Sequence, residues 1–78
     1  MKITVEISKS HVKDGLPNEV EIYFDSEGLN YLIKHLSKLK VAGDHAHFMT
    51  PAWGMHDLSE EKEVAENSLA HHLRLTLI

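Results

Sequence analysis

Residues 26–39 read SEGLNYLIKHLSKL and predict an amphipathic helix. The apolar residues recur at steps of three, one, three and three, which aligns them along one side of a helix. They are Leu29, Leu32, Ile33, Leu36 and Leu39. Asp25 or Ser26 suits the N-cap, and Gly43 suits the C-terminal end. Because such a helix must bury its apolar side, it needs a sheet or a second helix to pack on.

The chain before this helix predicts two strands, over residues 1–8 and 20–24. In both segments apolar and polar residues alternate, which is the pattern of a half-buried strand. The predicted inward residues are Ile3, Val5, Ile7, Val20, Ile22 and Phe24, and the predicted outward residues are Thr4, Glu6, Ser8, Glu21 and Tyr23. Asp14-Gly15 and Pro17-Asn18 favour turns between the two segments. The two strands are therefore expected to form an antiparallel hairpin.

The chain after the helix predicts two further strands, over residues 44–50 and 69–78. Their predicted inward residues are Ala46, Phe48, Leu73, Leu75 and Leu77, and their outward residues are His45, His47, Met49, His72, Arg74 and Thr76. Eighteen residues, 51–68, connect them. A connection of that length without regular structure is unusual in a compact domain. Three alternatives account for residues 51–68: the connection is a functional loop, residues 59–66 form a short helical turn, or the flanking strands extend into the connection.

These elements predict an α+β fold in one domain, residues 1–78. The order strand, strand, helix, strand, strand favours one four-stranded, mainly antiparallel sheet with the amphipathic helix packed on one face. The opposite face would be open to solvent and available for docking. Its expected residues are Thr4, Glu6, Glu21, Tyr23, His45, His47, His72 and Arg74.

Composition excludes several classes of protein. The chain has 78 residues and no cysteine, which rules out a disulfide scaffold, a thiolate zinc site and a cysteine nucleophile. Its first residues carry charge where a signal peptide would be apolar. No run of apolar residues approaches the length of about 20 that a membrane span needs. We therefore expect a soluble, cytoplasmic protein that does not enter membranes.

The negative charge is concentrated in residues 57–66, which we call the acidic segment. The whole chain has a net charge of −4, and this segment alone contains five acids and one base. The acids are Asp57, Glu60, Glu61, Glu63 and Glu66. Such a surface disfavours nucleic acid, whose phosphates need basic residues, and suits a basic protein partner. The alternative interpretation is a solvated loop that keeps the protein soluble.

Seven histidines in a chain this short raise the possibility of a metal site. His45 and His47 share one side of a strand, and His72 joins them if the last two strands pair. Zinc takes three or four nitrogen, oxygen or sulfur ligands. The alternative is a group of exposed imidazoles on a polar face. The sequence contains no complete catalytic motif and no cofactor motif, so we expect no catalytic residues and no bound cofactor.

Trp53 and Tyr23 each have two interpretations. Trp53 either anchors its loop on the core or forms part of an interface, where tryptophan contributes a large rigid area and one donor. Tyr23, on the predicted open face, has the same alternatives.

One block of the sequence resembles a known family. The block is Asp44-His45-x-His47-Phe48-Met49-Thr50-Pro51-Ala52-Trp53-Gly54, preceded by the leucine pattern of the helix and followed by His72-Leu73-Arg74-Leu75-Thr76-Leu77-Ile78. Together they resemble immunity protein family thirty-two of the bacterial polymorphic toxin systems, over roughly residues 20–78. Met55-His56 departs from the pattern, which expects small or polar residues there.

The resemblance implies a toxin-binding protein with an α+β fold and no enzymatic activity. Its partner would be a cognate toxin domain, such as a basic nuclease. The residues implied in binding are the anchors Trp53, Tyr23, His45, His47, His72 and Arg74, and the acids Asp57, Glu60, Glu61 and Glu63. Two other hypotheses stay open: a metal-binding or metal-dependent enzymatic domain built on the histidines, and a homo-oligomeric module that forms a homodimer through a sheet edge or the open face.

Overall fold

The computed structural model describes residues 1–9, 12–17 and 19–78. It confirms the α+β class. The strands of the described residues are β1 (Ile3–Ile7), β2 (Val12–Lys13), β3 (Leu16–Pro17), β4 (Val20–Phe24), β5 (His45–Met49), β6 (Ser68–Ala70) and β7 (His72–Thr76). The α-helix is α1 (Ser26–Leu36), and a 3₁₀ turn (Pro51–Trp53) follows β5. No helix in this part of the chain has the length and apolar character needed to cross a membrane.

The predicted helix forms, and Asp25 is its N-cap. The Asp25 backbone is extended, and its Oδ1 accepts a hydrogen bond from the Gly28 N–H at 2.7 Å. This bond satisfies one of the donors that the first helical turn leaves unpaired. The regular helix ends at Leu36, before the end of the apolar pattern, and a turn bond from the Leu39 N–H to the Leu36 carbonyl follows it.

α1 packs with a side that is rotated from the predicted one. Gly28 is buried, and a Cβ at this position would lie 2.8 Å from both Ile3 Cγ1 and the Lys2 carbonyl oxygen. The missing side chain therefore lets the helix lie directly over β1. Tyr31 and Leu32 pack on the core. Three residues that were predicted to face the core are exposed instead: Leu29, Ile33 and Leu36.

The strands form two main antiparallel sheets, so the predicted single four-stranded sheet is wrong. β1 lies between β4 and β6 in one sheet, and β5 pairs with β7 in the other. The predicted strand over residues 69–78 is two strands separated by a bend at His71. The Thr50 N–H donates to the His71 carbonyl at 3.0 Å, and Thr50 Oγ1 lies 2.7 Å from His71 Nδ1. These bonds hold the bend, which carries the chain from one sheet to the other.

The predicted hairpin of residues 1–8 and 20–24 is confirmed. β1 and β4 are antiparallel, with Ile3 opposite Phe24 and Ile7 opposite Val20. Between them β2 and β3 form a two-residue ladder around Asp14-Gly15, both of which have positive φ, as this turn requires. The second predicted turn, Pro17-Asn18, includes a residue outside the described part of the chain.

The polar side of β1 is buried, which contradicts its predicted exposure. Thr4, Glu6 and Ser8 are almost completely inaccessible to solvent. The acidic segment covers them: the Ser59 N–H donates to the Ile3 carbonyl at 2.7 Å, so the segment lies along this strand. Alternation therefore predicted the strand correctly but did not reveal that a distant loop covers its polar side.

The apolar side of β4 is exposed, which contradicts its predicted burial. Val20, Ile22 and Phe24 lie on the same face as the buried Ile3 and Val5. Because α1 lies over β1, it does not cover this edge of the sheet.

The predicted faces of the second sheet are confirmed. Ala46 and Phe48 of β5 and Leu73 and Leu75 of β7 belong to the core or pack on it, whereas Leu77 lies beyond the strand and is exposed. Among the residues whose burial the structure describes, the buried apolar ones are Ile3, Val5, Phe48 and Leu58. Leu58 comes from the acidic segment, which therefore contributes to the core as well as to the surface.

Candidate functional site

Strands β5 and β7 place histidines side by side on one face. In their register His47 lies opposite Arg74, and Met49 lies opposite His72. His45 lies two residues before His47 and therefore points to the same side. These residues, with Trp53, form what we call the histidine surface: His45, His47, Trp53, His72 and Arg74. The structure thus brings together five of the residues that were predicted to bind a partner.

The three imidazoles form a continuous row. The ring centroids of His45 and His47 are 4.7 Å apart, and those of His47 and His72 are 5.0 Å apart. His47 Nδ1 lies 2.7 Å from His72 Nε2, so one nitrogen carries the shared proton and the other accepts it. Desolvation lowers the pKa of His47, and positive charge on His45, His72 and Arg74 lowers it further. The His47 imidazole is therefore uncharged near neutral pH.

Trp53 extends this row at one end. Its ring centroid lies 5.5 Å from that of His72, with the planes tilted by 47°. The short 3₁₀ turn that begins at Pro51 presents the indole, and Gly54 ends this turn with φ 91°, a left-handed conformation that favours glycine. Trp53 is 59% exposed. Of its two interpretations, the indole therefore fits an accessible surface better than an anchor buried in the core.

The three imidazoles are not arranged as a set of metal ligands. Within residues 1–9, 12–17 and 19–78, no group of three or more histidine, aspartate or glutamate side chains is placed to hold a metal ion. The short contact between His47 and His72 is a hydrogen bond. The cavity beside this row, about 610 Å³, is open and has Lys38 and His35 on its other wall.

Glu6 fixes the acidic segment to the sheet. Its carboxylate accepts hydrogen bonds from the Glu63 N–H at 2.9 Å and the Val64 N–H at 3.2 Å. Thr4 Oγ1 donates to it at 2.6 Å, and Asn67 Nδ2 at 3.0 Å. Burial raises the pKa of Glu6, but these four bonds outweigh burial and hold the pKa below its usual 4.5. An ionised, buried Glu6 is thus the point where the segment and the sheet meet.

Asp57 fixes the other end of the acidic segment and is buried. The Tyr31 hydroxyl donates to Asp57 Oδ1, and the Met49 N–H donates to Oδ2 at 3.2 Å. The hydrogen bond to Asp57, together with burial, raises the pKa of Tyr31 to about 12. Asp57, predicted as a partner-binding acid, therefore uses its carboxylate oxygens within the fold.

The other predicted acids lie at the surface. Glu60, Glu61 and Glu63 are exposed. Glu63 forms an ion pair with Lys2 at 2.7 Å. Lys62, the base in this segment, donates to the backbone carbonyls of Ala65 and Asn67. Because these contacts hold the loop in one conformation, the acidic segment presents its charge on a fixed frame.

Tyr23 lies apart from the histidine surface. Its hydroxyl donates to Glu21 Oε1 at 2.9 Å on the three-stranded sheet. With Lys2, Phe24, Asp25 and Glu63 it lines a cavity of about 270 Å³ near the start of the helix. The predicted site residues therefore fall into two surface groups, with Asp57 in the interior.

Sequence reasoning missed Glu6, Tyr31 and Asn67, which hold the site together. Asn67 Nδ2 bridges the carboxylates of Glu6 and Glu21, at 3.0 and 2.9 Å. Glu6 and Asn67 are separated by 61 positions. No local pattern signals such a pairing, since Glu6 occupies an ordinary polar position of an alternating strand.

Comparison with known proteins identifies the family. No curated protein and no solved structure matches the chain. A model of the immunity protein 32 family matches residues 19–73, which is more than two thirds of the chain. The matched part includes β4, α1, β5, the 3₁₀ turn with Trp53 and the acidic segment. The chain belongs to the immunity protein 32 family, a family of non-enzymatic toxin inhibitors.

Proposed function

We propose that this protein neutralises one cognate toxin domain by binding it through the histidine surface, with the exposed acids of the acidic segment guiding the approach. Membership of the immunity protein 32 family carries the functional part of this proposal. We further propose that the protein acts in the cytoplasm, where a toxin would otherwise reach its target.

The histidine surface has the properties of an interface centre. Trp53 offers a rigid, exposed ring, and His72 supports it from one side. Large aromatic residues and arginine contribute most of the binding energy in many interfaces. The row of imidazoles rests on a two-stranded sheet whose other side packs on the core. The rings of this surface already contact one another, which lowers the conformational entropy that they lose on binding.

The acidic segment fits a basic partner, of which a nuclease is one example. Glu60, Glu61 and Glu63 are exposed on a loop that Glu6 and Asp57 fix in place. Opposite charges on two partners raise the association rate, and salt suppresses this effect. We therefore assign these acids to the rate of association and Trp53 to the lifetime of the complex.

The test uses the cognate toxin domain, which is to be sought among the genes beside the one that encodes this chain. Titration calorimetry should give binding at nanomolar affinity, and Trp53→Ala should weaken it at least about tenfold, mainly through faster dissociation. The matched control is Met55→Ala, an exposed apolar residue two positions away. Equal affinities for both variants would remove Trp53 from the interface, and no association of the unaltered proteins would end the proposal.

Charge reversal tests the acids separately. Glu60→Lys combined with Glu61→Lys should slow association and reduce its dependence on salt, because the attraction of a basic toxin is lost. As the control for net charge, the single variant Glu60→Lys is compared with Glu27→Lys, an exposed acid in the first turn of α1, because both substitutions change the net charge by two. Unchanged association rates in the double variant would show that the segment does not guide the toxin.

A further inference from the structure

The outer edge of β4 has backbone groups without partners in the described part of the chain. β4 pairs with β1 on one side and is the last strand of its sheet. The Ser8 N–H donates to the Glu19 carbonyl, and the Asp25 N–H donates to the Lys2 carbonyl. Odd-numbered residues of this strand therefore bond inward, and the N–H and C=O groups of Val20, Ile22 and Phe24 point outward.

The side chains on this edge form an exposed apolar strip. Val20, Ile22 and Phe24 share one face, with Ile7 opposite Val20 on the neighbouring strand. All four are exposed, and Val20 is 62% exposed. On α1, Leu29 and Ile33 lie one turn apart and are also exposed. An exposed edge strand with an apolar face is a template for a further strand.

The other face of the same edge is acidic. Glu19 and Glu21 alternate with the apolar residues, and Asp25 follows the strand. The neutral Tyr23 hydroxyl and Asn67 amide donate to Glu21, and the Asp25 carboxylate caps α1. A strand added in the antiparallel direction places its side chains directly opposite these positions. It must therefore be apolar on the strip side and basic, or at least not acidic, on the other side.

We propose that the edge of β4 receives an extended segment of the toxin with alternating apolar and basic side chains, which continues the three-stranded sheet. This inference rests on the proposed function, since it assigns to the toxin a second contact beyond the histidine surface. Main-chain bonds to Val20, Ile22 and Phe24 supply affinity, and the alternation supplies selectivity.

A second copy of the chain fits this edge poorly. Symmetric antiparallel pairing that keeps the apolar residues on one face has four central registers. They place acids opposite acids in every case: Glu19 against Glu21, Glu21 against itself, Glu19 against Asp25, or Glu21 against Asp25. Like charges directly opposite one another destabilise a strand pair. The homodimer hypothesis is therefore weaker at this edge than a basic partner strand.

The experiment compares two substitutions of the same residue type with equal exposure. Val20→Lys places a cation on the apolar strip, and Val41→Lys places one on a loop beyond the helix, where Val41 is 64% exposed. With the cognate toxin domain, Val20→Lys should weaken binding at least about tenfold and Val41→Lys less than about twofold. Hydrogen exchange of the Val20, Ile22 and Phe24 amides should slow in the complex with the unaltered chain.

Three results would overturn the inference, and they are distinguishable. If the toxin binds but both variants bind alike and these amides stay unprotected, the edge inference fails while the proposed function stands. If the free chain sediments as a dimer that Val20→Lys disrupts, the edge belongs to a second copy. If the unaltered chain does not bind the toxin, the proposed function fails, and the edge inference fails with it.

Discussion

The two faces of the three-stranded sheet differ in how far they are covered: the polar face is buried over β1, whereas the apolar face is buried over β1 and exposed over β4. On one face the polar Thr4, Glu6 and Ser8 are buried under the acidic segment. On the other face the apolar Val20, Ile22 and Phe24 are exposed, because α1 lies over the neighbouring strand. A face is buried by whatever the chain places on it, and a polar face can be buried when its hydrogen bonds are satisfied.

The largest effect is expected at Glu6, because its removal leaves the covered polar face without its main acceptor. Glu6→Gln should lower the free energy of unfolding by about 2–3 kcal/mol, since a neutral amide leaves buried N–H groups poorly paired. Urea unfolding measures this, with the exposed Glu60→Gln as the control. Equal stability of the two variants would mean that Glu6 does not fix the acidic segment.

The same variant has a defined dependence on pH. The pKa of folded Glu6 lies below 4.5, so its contribution is fully present above pH 4.5 and is lost as the pH falls through the lower folded value. The stability difference between the unaltered chain and Glu6→Gln should therefore shrink below pH 4.5. Other carboxylates titrate in both proteins and cancel in this difference. A difference that grows in acid would contradict the assignment of an ionised Glu6.

Gly28 decides how far the helix covers the apolar face. Gly28→Ala adds a Cβ 2.8 Å from the Lys2 carbonyl and Ile3 Cγ1, so the helix must shift away from β1. We expect a net loss of about 1–2 kcal/mol, although alanine is the better helix former. Thermal unfolding measures it against Asn30→Ala, an exposed position of the same helix. A gain in stability on this substitution would show that α1 does not pack closely on β1 at position 28.

Local sequence patterns predict some elements of this sheet and its coverings correctly and others not. The strands β1 and β4 and their pairing, the cap at Asp25 and the position of β5 follow from local patterns and are confirmed, whereas the predicted exposure of the polar side of β1 and burial of the apolar side of β4 are wrong. The side of α1 that packs was predicted only in part: Leu32 packs on the core, but Leu29, Ile33 and Leu36 are exposed, because the apolar pattern gave no weight to Gly28. Close approach of a helix to a strand depends on a residue without a side chain, and periodicity in apolar residues does not register it.

The candidate site shows the same division. The grouping of the outward histidines was predictable, since it needs only strand alternation and the pairing of β5 with β7. The bend at His71 was not, because it depends on bonds from Thr50, 21 positions away. The interior position of Asp57 likewise depends on Tyr31, 26 positions earlier in the chain. Contacts of this length are properties of the folded chain rather than of any local segment.

Tyr31 links α1 to the acidic segment. It therefore connects the two elements that cover opposite faces of the three-stranded sheet. Tyr31→Phe should lower the free energy of unfolding by about 1 kcal/mol, because Asp57 loses a donor while the ring still packs near Phe48. A double-mutant cycle with Asp57→Asn isolates the bond. The combined variant should lose less stability than the sum of the two single losses. Strict additivity would mean that the hydroxyl and the carboxylate do not cooperate.

The smallest effect is expected at the exposed apolar strip. Val20→Thr should change the free energy of unfolding by less than about 0.5 kcal/mol, because the side chain is mostly in water. Val5→Thr makes the same change on the same face under the helix, and burying its hydroxyl should cost about 1–3 kcal/mol. Chemical denaturation of the two variants side by side checks the contrast. Similar losses at both positions would contradict the exposed state of β4.

Inhibition of a cognate toxin domain by the purified chain tests the central claim most directly. Titrating the chain into a fixed amount of active toxin should reduce toxin activity linearly and abolish it at one equivalent, as tight stoichiometric binding requires. Toxin activity that persists undiminished in excess chain would contradict the account.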